Sequence, residues 1–409
     1  MSGKELLYLD WAATSPPETK ILQECLELSC ESFGNPSSAH DKGKQARSLL
    51  EDARSSLANF LEHSNGPGSK PPVKKDRGKI VFTGSGTEAD QIPLLSVLRS
   101  ALSKPGGVKN CHIVVSAIEH PAVFAQATLL EKLGVRLTVV NPGPDGRVSP
   151  EKIREALCPH TRLVAVMAVN NETGAVQNTE EIGKAVQEAG AGAGSREIIF
   201  HVDAVQALGK VPFSPDSAFV SSAAFSAHKV GGPRGVGALW ISKEMEALGV
   251  GGGQEGGLRS GTENLFGALA FSRCAAKAAE NLDERLAHAR RLETSLIEGI
   301  RLIPGARILP ECRMPGDGAF SPWIVNATFP GLGGEVFARA LSDEGIAVST
   351  GSACSHLERR RSHRVLDAMA IPPELAFSSI RISFGNTSRT RDIERFLSVT
   401  ADLYRRLKT

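Results

Sequence analysis

The stretch Ile198–Gly232, IIFHVDAVQALGKVPFSPDSAFVSSAAFSAHKVGG, decides the fold. Its apolar run Ile198–Val202 ends on Asp203, and a second run, Val220–Phe225, ends on Ser226-Ala227-His228-Lys229. Short apolar runs that close on polar or small residues read as strands buried on both faces. In open α/β sheets ligands gather outside the carboxyl ends of such strands, so Asp203 and Lys229 stand where a site belongs. Asp203 precedes Lys229 by 26 residues, which leaves room for one strand between them.

The pattern repeats toward the amino terminus in KIVFT (Lys79–Thr83), HIVVS (His112–Ser116), RLTVV (Arg136–Val140) and LVAVMAV (Leu163–Val169). One further strand, Gly237–Ile241, follows. Helical patterns such as Ala122–Leu133 and Glu180–Glu188 lie between several of them. This alternation predicts an α/β fold, with a mostly parallel seven-stranded sheet between helices. The later strands lack clear helices between them, so part of the sheet is expected to be antiparallel.

A long helical region is predicted from Asn264 to Ile303, stopped by Pro304-Gly305. Beyond it, strand Ile324–Phe329, helix Glu335–Glu344, strands Ile346–Ser349 and Ser379–Phe384, and helix Arg391–Leu407 predict a smaller α+β domain. The expected organisation is an arm over 1–20, helices over 21–61 packing with the small domain, a large domain over 62–265, and a small domain over 266–409. The two helices are placed at Lys20–Glu31 and Lys44–Leu61. Glu62–Gly78 and Ala189–Ser195 are too rich in Gly, Pro and Lys to form core and read as surface loops.

Composition narrows the function. The chain has 409 residues, 41% hydrophobic and 22% charged, which is ordinary globular usage. Its net charge of +2 provides no bulk field for nucleic acid or a membrane surface, so a small-molecule substrate is expected. The opening MSGKELLYLDWAATSPP has no basic segment leading into an apolar run, and a cytoplasmic location is expected. The seven cysteines, at 25, 30, 111, 158, 274, 312 and 354, contain no CxxC pair, so neither a disulfide framework nor a zinc site is expected.

The strand ends carry the candidate chemistry. Lys229, after a strand and before Gly231, Gly232 and Gly235, is placed to form a Schiff base; a surface lysine is the competing reading. Asp203 is suited to a protonated pyridine nitrogen, or to capping the next helix. Gly84-Ser85-Gly86-Thr87-Glu88 opens a helix after a strand, where free N–H groups and the helix dipole favour phosphate, although Thr87 also suits a plain helix start. His120, in Ala117–Pro121, could stack on a flat cofactor and move protons, or be structural. In Asn170–Gly174, one asparagine could serve a carboxylate or ring hydroxyl, or the run could simply be a turn.

Two candidates lie in the smaller domain. Cys354 sits among small and polar residues beside His356 and Arg359-Arg360-Arg361, a setting that favours thiolate. Arg381 lies in an apolar strand and needs an anion, which a substrate carboxylate or an internal salt bridge would supply.

Taken in order, these stretches resemble the cysteine desulfurases, in the class V aminotransferase group of fold-type I pyridoxal-phosphate (PLP) enzymes. The matching segments are Tyr8–Thr14 (YLDWAAT), Phe33–Ser37, Phe82–Glu88, Glu119-His120, Asn170–Gly174, His201–Gln206, Ser226–Lys229, Arg259–Thr262 (RSGT), Gly351–Cys354 and Ser378–Ser383. The resemblance implies that PLP is held as a Schiff base by Lys229, with Asp203 on the pyridine nitrogen, Gln206 on the ring hydroxyl and His120 stacked on the ring. It implies Gly86, Thr87, Ser226 and His228 around the phosphate, with Thr262 contributed from the partner subunit of a homodimer. Ala13, Thr14, Asn171 and Arg381 would meet the substrate L-cysteine, and Cys354 would take the sulfur as a persulfide. A sulfur-acceptor protein, in iron–sulfur assembly or another transfer, would receive it. Trp11 stands where the family carries asparagine. Selenocysteine lyase shares the fold and chemistry and is the alternative activity; a non-enzymatic sulfur-transfer partner is the third reading.

Overall fold

The computed structural model describes residues 5–63, 78–192, 197–216, 219–350 and 363–408. The sequence readings of Cys354, His356 and Arg359–Arg361, most of the expected loop at 62–78 and residues 193–195 of the second lie outside these residues.

After a short strand β1 (Leu7–Tyr8) come helices α1 (Thr19–Glu31) and α2 (Asp41–His63). The main sheet is built from β2 (Lys79–Thr83), β3 (His112–Ser116), β4 (Arg136–Val140), β5 (Thr161–Ala165), β6 (Ile199–Asp203), β7 (Ser222–Ser226) and β8 (Gly237–Ile241). Four helices lie between its strands: α3 (Gly86–Leu102), α4 (Pro121–Lys132), α5 (Pro150–Ala156) and α6 (Thr179–Gly192). The strand order is β2-β8-β7-β6-β5-β3-β4. Only β8 runs against the rest, pairing antiparallel with both β2 and β7. The expected seven-stranded, mostly parallel sheet and its antiparallel part are therefore both present. Every residue of β3, β7 and β8 is buried, whereas edge strand β4 keeps exposed positions. Continuous apolar runs follow from helices covering both faces.

Six strands thus end at the same edge of the sheet. Their carboxyl-terminal loops carry Ser85–Thr87, Glu119-His120, Asn170–Asn171, Asp203 and Ser226–Lys229.

The predicted helix over 264–303 is two helices, α7 (Leu265–Ala279) and α8 (Leu282–Arg301). They part at Asn281, which has a left-handed φ of 52°. The smaller domain continues with β9 (Arg307–Leu309), β10 (Ile324–Thr328), α9 (Gly334–Asp343), β11 (Ile346–Ala347), α10 (Arg364–Ala368), α11 (Pro373–Phe377), β12 (Ser379–Ser383) and α12 (Thr390–Leu407). Its sheet is antiparallel, ordered β12-β10-β9.

The helices at 21–61 pack on α7, within the residues expected to form the small domain, and Cys25, Ala46, Leu50 and Leu57 share the large core with Leu265, Ala268 and Phe271 of α7. Helix α7 therefore belongs with the large core too, although the sequence reading assigned residues from 266 onward to the small domain. The cause is the break at Asn281, which lets α7 and α8 face different cores. Conversely Leu7, Leu9 and Ala12 of the arm are buried in the small-domain core, with Ile346, Ile380 and Phe384. The loop expected from Ala189 begins later, because α6 runs to Gly192.

Candidate active site

A cavity of about 950 Å³ opens at the carboxyl edge of the sheet. Of the residues singled out in the sequence, Ala13, Thr14, Gly86, Thr87, His120, Asn171, Asp203, Gln206, Ser226, His228, Lys229 and Arg381 all line it. Thr262 does not; it is exposed, with its carbonyl accepting from Arg259.

Lys229 ends a single 3-10 turn, Ala227–Lys229, that follows β7 directly. Its Nζ donates to the carbonyl oxygens of Ala12 at 2.6 Å and Ala13 at 2.8 Å. The arm is fixed to the same turn: Ser15 N–H donates to His228 O at 2.9 Å and Ser15 Oγ to Lys229 O at 2.6 Å. Lys229 is thus a held amine rather than a surface lysine.

Asp203 is buried, and its Oδ1 accepts from Val205 N–H at 3.0 Å in the turn after β6; among the described residues no helix stands between β6 and β7 for it to cap. Burial, with Asp90 nearby, pushes its pKa up to about 8. A buried carboxylate without a cation is unfavourable, and a protonated ring nitrogen is a cation that would restore the charge. Behind it, His201 Nε2 lies 3.2 Å from Asp90 Oδ1 and its Nδ1 2.9 Å from Ser222 Oγ.

His120 caps α4, its Nδ1 accepting from Ala122 N–H at 3.2 Å. Burial, with Lys229, Arg364 and Arg381 nearby, lowers its pKa to about 4. The ring is therefore neutral at pH 7, and with Nδ1 as acceptor the hydrogen sits on Nε2. Next to it Glu119 is buried; its Oε1 accepts from Met167 N–H at 2.8 Å and from Ser116 Oγ, which ties the end of β3 to the end of β5.

The helix start fits a phosphate. Ser85 caps α3 by accepting from Glu88 N–H at 3.1 Å, which leaves the first turn open to the cavity. A Cβ on Gly86 would come within 3.1 Å of both Ser226 Cβ and Val205 Cγ2, so a larger residue there would have to push these neighbours aside. His228 Nδ1 is 3.2 Å from Thr14 Oγ1. A buried carboxyl in need of a cation, a glycine cradle at a helix N-terminus and a held amine together fit pyridoxal phosphate.

For the substrate, the structure separates the two asparagines. Asn170 Oδ1 accepts from Glu172 N–H at 3.0 Å and Thr173 N–H at 2.9 Å, which is turn chemistry; Asn171 faces the cavity. The turn is anchored by buried Arg313, which donates to Thr173 O at 2.9 Å and pairs with Glu293 at 2.6 Å. Arg381 donates to Asn171 O at 2.9 Å and forms an ion pair with Asp10 at 2.8 Å, so the internal salt bridge exists. Its buried Nε has no partner among the described residues.

Sequence reading missed Asp10, Lys210 and Arg364. Arg364 lines the cavity, donates to the carbonyls of Ala117 and Glu119, and lies 4.2 Å from the Phe124 ring centroid. Nothing in the local sequence sets this arginine apart from Arg359–Arg361. Trp11 does not enter the main cavity; its indole lies against Gly385, in a smaller neighbouring pocket that also meets Lys210 and Lys229.

These pKa shifts predict how the cofactor-free protein responds to pH. Between about 4 and 6.5 the unfolded chain binds protons that folded His201, held down to about 4 by burial, does not, so this term raises stability with pH. Asp203 and Glu119, the latter raised by burial to about 7, act oppositely: the folded chain keeps protons that the unfolded carboxyls have lost. Their stabilisation is complete below about pH 4 and is lost as pH rises through 7 to 8. Above 6.5 the carboxyl terms are opposed by Lys210, whose pKa burial lowers to about 7, so that the unfolded chain binds a proton the folded one has lost. The cofactor-free protein should melt about a degree or two lower at pH 8 than at 6.5, and Asp203→Asn should flatten or invert that slope. A melting temperature that rises over the interval would mean Asp203 is ionised in the folded chain.

Among the described residues no helix is long and apolar enough to cross a membrane, and no group of three His, Cys, Asp or Glu could hold a metal ion.

Residues 7–396 match the family described as aminotransferase class-V. The chain is 34% identical over 414 residues to cysteine desulfurase IscS of Dictyoglomus turgidum, covering 99% of this chain and 96% of that relative. It is 32% identical to cysteine desulfurase IscS of Methanosarcina thermophila, covering 98% and 93%. Among solved structures, a NifS-like protein superposes with a TM-score of 0.83 at 32% identity, covering 98% of this chain and all of that one. A structure titled SspA in complex with cysteine gives 0.72 at 27% identity, covering 93% and 99%.

Proposed function

The chain belongs to the aminotransferase class-V family, and from that premise we propose a PLP-dependent cysteine desulfurase that converts L-cysteine to L-alanine and passes the sulfur on. One observation carries the reading: the Lys229 amine, the Asp203 carboxyl and the open α3 N-terminus share one cavity. Ser349 and Arg364, which flank residues 351–362, also line it.

Pyridoxal phosphate, when bound, supplies the electron sink that weakens bonds at the substrate's α-carbon and, through it, the carbon–sulfur bond. Lys229 would hold it covalently, Asp203 would keep its ring nitrogen protonated, and Gln206 would donate to its ring hydroxyl. Gly86, Thr87, Ser226 and His228 would hold the phosphate. Thr262, exposed in its own chain, would complete that site in a homodimer's other subunit. Ala13 and Thr14 line the substrate side, where Arg381 and Asn171 would fix the cysteine carboxylate. Neutral His120, with its hydrogen on Nε2, would move protons together with Lys229 Nζ.

Cys354 is five residues beyond Ser349, and a fully extended chain of that length spans about 17 Å, so its thiolate has the reach to meet a substrate in the cavity. It attacks the substrate sulfur: the new S–S bond forms as the C–S bond breaks, the electron pair returns to carbon, and alanine leaves after protonation. An acceptor protein, an iron–sulfur scaffold in our reading, then takes the sulfur in the cytoplasm.

The test is product release from L-cysteine by the purified chain with PLP and a thiol reductant. Alanine and sulfide should appear in equal amounts. A bound yellow cofactor with neither product would sink the desulfurase reading, and release from selenocysteine alone would assign a selenocysteine lyase.

A further inference from the structure

Gln206 stands between two groups that fix which way its amide faces. Its Oε1 accepts from Lys210 Nζ at 2.9 Å, and its Nε2 donates to Ala12 O at 2.9 Å. An ammonium can only donate and a carbonyl oxygen can only accept. Turning the amide over would put nitrogen against the ammonium and oxygen against the carbonyl, opposed at both ends. One hydrogen of the amide nitrogen is used on Ala12; the nitrogen carries a second, and Gln206 lines the cavity.

Lys210 is itself held. It lies four residues after Gln206 in a helical turn, where Ala207 N–H donates to Ala204 O at 2.9 Å and Lys210 N–H to Ala207 O at 2.9 Å. Its own carbonyl accepts from the indole N–H of Trp323 at 2.8 Å, so the small domain pins the end of the turn. Before it, Gly209 has a φ of 63°, and a Cβ there would come within 2.6 Å of Ala278 Cβ.

Resting on the cofactor assignment above, we propose that Lys210 is a positioning residue that locks the Gln206 amide with its N–H toward the ring hydroxyl of pyridoxal phosphate. Without the lysine only Ala12 O still holds the amide, and an amide turned over presents its oxygen to that oxygen, which is repulsive. Burial, with Lys229, Arg381 and Arg285 nearby, lowers the Lys210 pKa to about 7. A bound anionic ring oxygen would draw it back up and keep the ammonium charged.

The test is a pH titration of the cofactor's visible absorption band in the substrate-free holoenzyme, with cofactor affinity measured in parallel. Wild type is compared with Lys210→Met, Lys210→Arg, Gln206→Leu and the double variant Gln206→Leu/Lys210→Met. A donor to the ring oxygen favours its ionised form, so losing it should raise the band's midpoint. Lys210→Met should move the midpoint up by about one pH unit and weaken cofactor binding about tenfold. Lys210→Arg should restore both values, and the double variant should shift no further than Gln206→Leu alone. An unmoved midpoint in Lys210→Met overturns the proposal. So does a double variant shifted by the sum of the single ones, because Lys210 would then act through its charge alone. If Lys210→Met does not fold, Lys210→Leu is read in the same way. A wild type with no visible band would sink the functional reading itself; a normal band with an unmoved midpoint sinks only the role of Lys210.

Discussion

The Lys229→Ala protein is expected to lose its covalently held cofactor and to release alanine from L-cysteine at least about 10⁴-fold more slowly. In the proposed function Lys229 would provide both the amine that binds the cofactor and a base beside the substrate. Its geometry leaves little room for a substitute. Lys210 is another amine nearby, but it is bonded to the Gln206 amide and lines the smaller pocket rather than the main cavity. The check is borohydride reduction followed by intact mass: wild type should gain the cofactor's mass permanently, and the variant should lose it on denaturation. A variant that still traps the cofactor would transfer the covalent role to another lysine.

Cys354→Ala is expected to lower sulfide and alanine release by about 10³-fold or more while the visible band and its response to cysteine persist. The other thiols cannot replace it. Cys25, Cys111 and Cys274 are buried, and burial raises all three thiol pKa values. Cys30 and Cys312 are exposed, and neither lines the cavity. Cys158 is the most activated of the described thiols: its Sγ lies 3.3 Å from His112 Nδ1, and hydrogen bonds from His160 and Thr161 help bring its pKa down despite partial burial. His112 and Thr161, however, open β3 and β5, so Cys158 sits at the opposite end of the sheet from the site. Single-turnover mass spectrometry should find one extra sulfur on wild type and none on the variant. Full activity in Cys354→Ala would point instead to another PLP reaction, such as transamination.

Much of this was legible because strand ends combine two demands. His120 both caps α4 and lines the cavity, while Asp203 holds the turn after β6 and lines it too. The two readings of His120 were not alternatives: a polar side chain at the carboxyl end of a buried strand satisfies local backbone and remains next to the ligand crevice. The asparagine pair was legible only as a pair. Asn170 and Asn171 are adjacent and alike, and only the turn's hydrogen bonds assign one inward and one to the cavity.

The sequence by itself determined the α/β order, the main strands to within a few residues, and the residues at their carboxyl ends, because burial on both faces imposes continuous apolar runs and leaves polar residues only where they stop. Tertiary structure alone decided the rest. The arm is one case: residues 10–15 link Arg381 of the small domain, through Asp10, to Lys229 of the large one, through Ala12 and Ser15. The packing of α1 and α2 against α7 is another, and so is the Lys210–Gln206–Ala12 chain. These contacts join residues up to several hundred positions apart, and several of them end on main-chain carbonyls, which every residue carries. No residue type or spacing encodes them; they exist only once both cores have packed and brought the carbonyls into place.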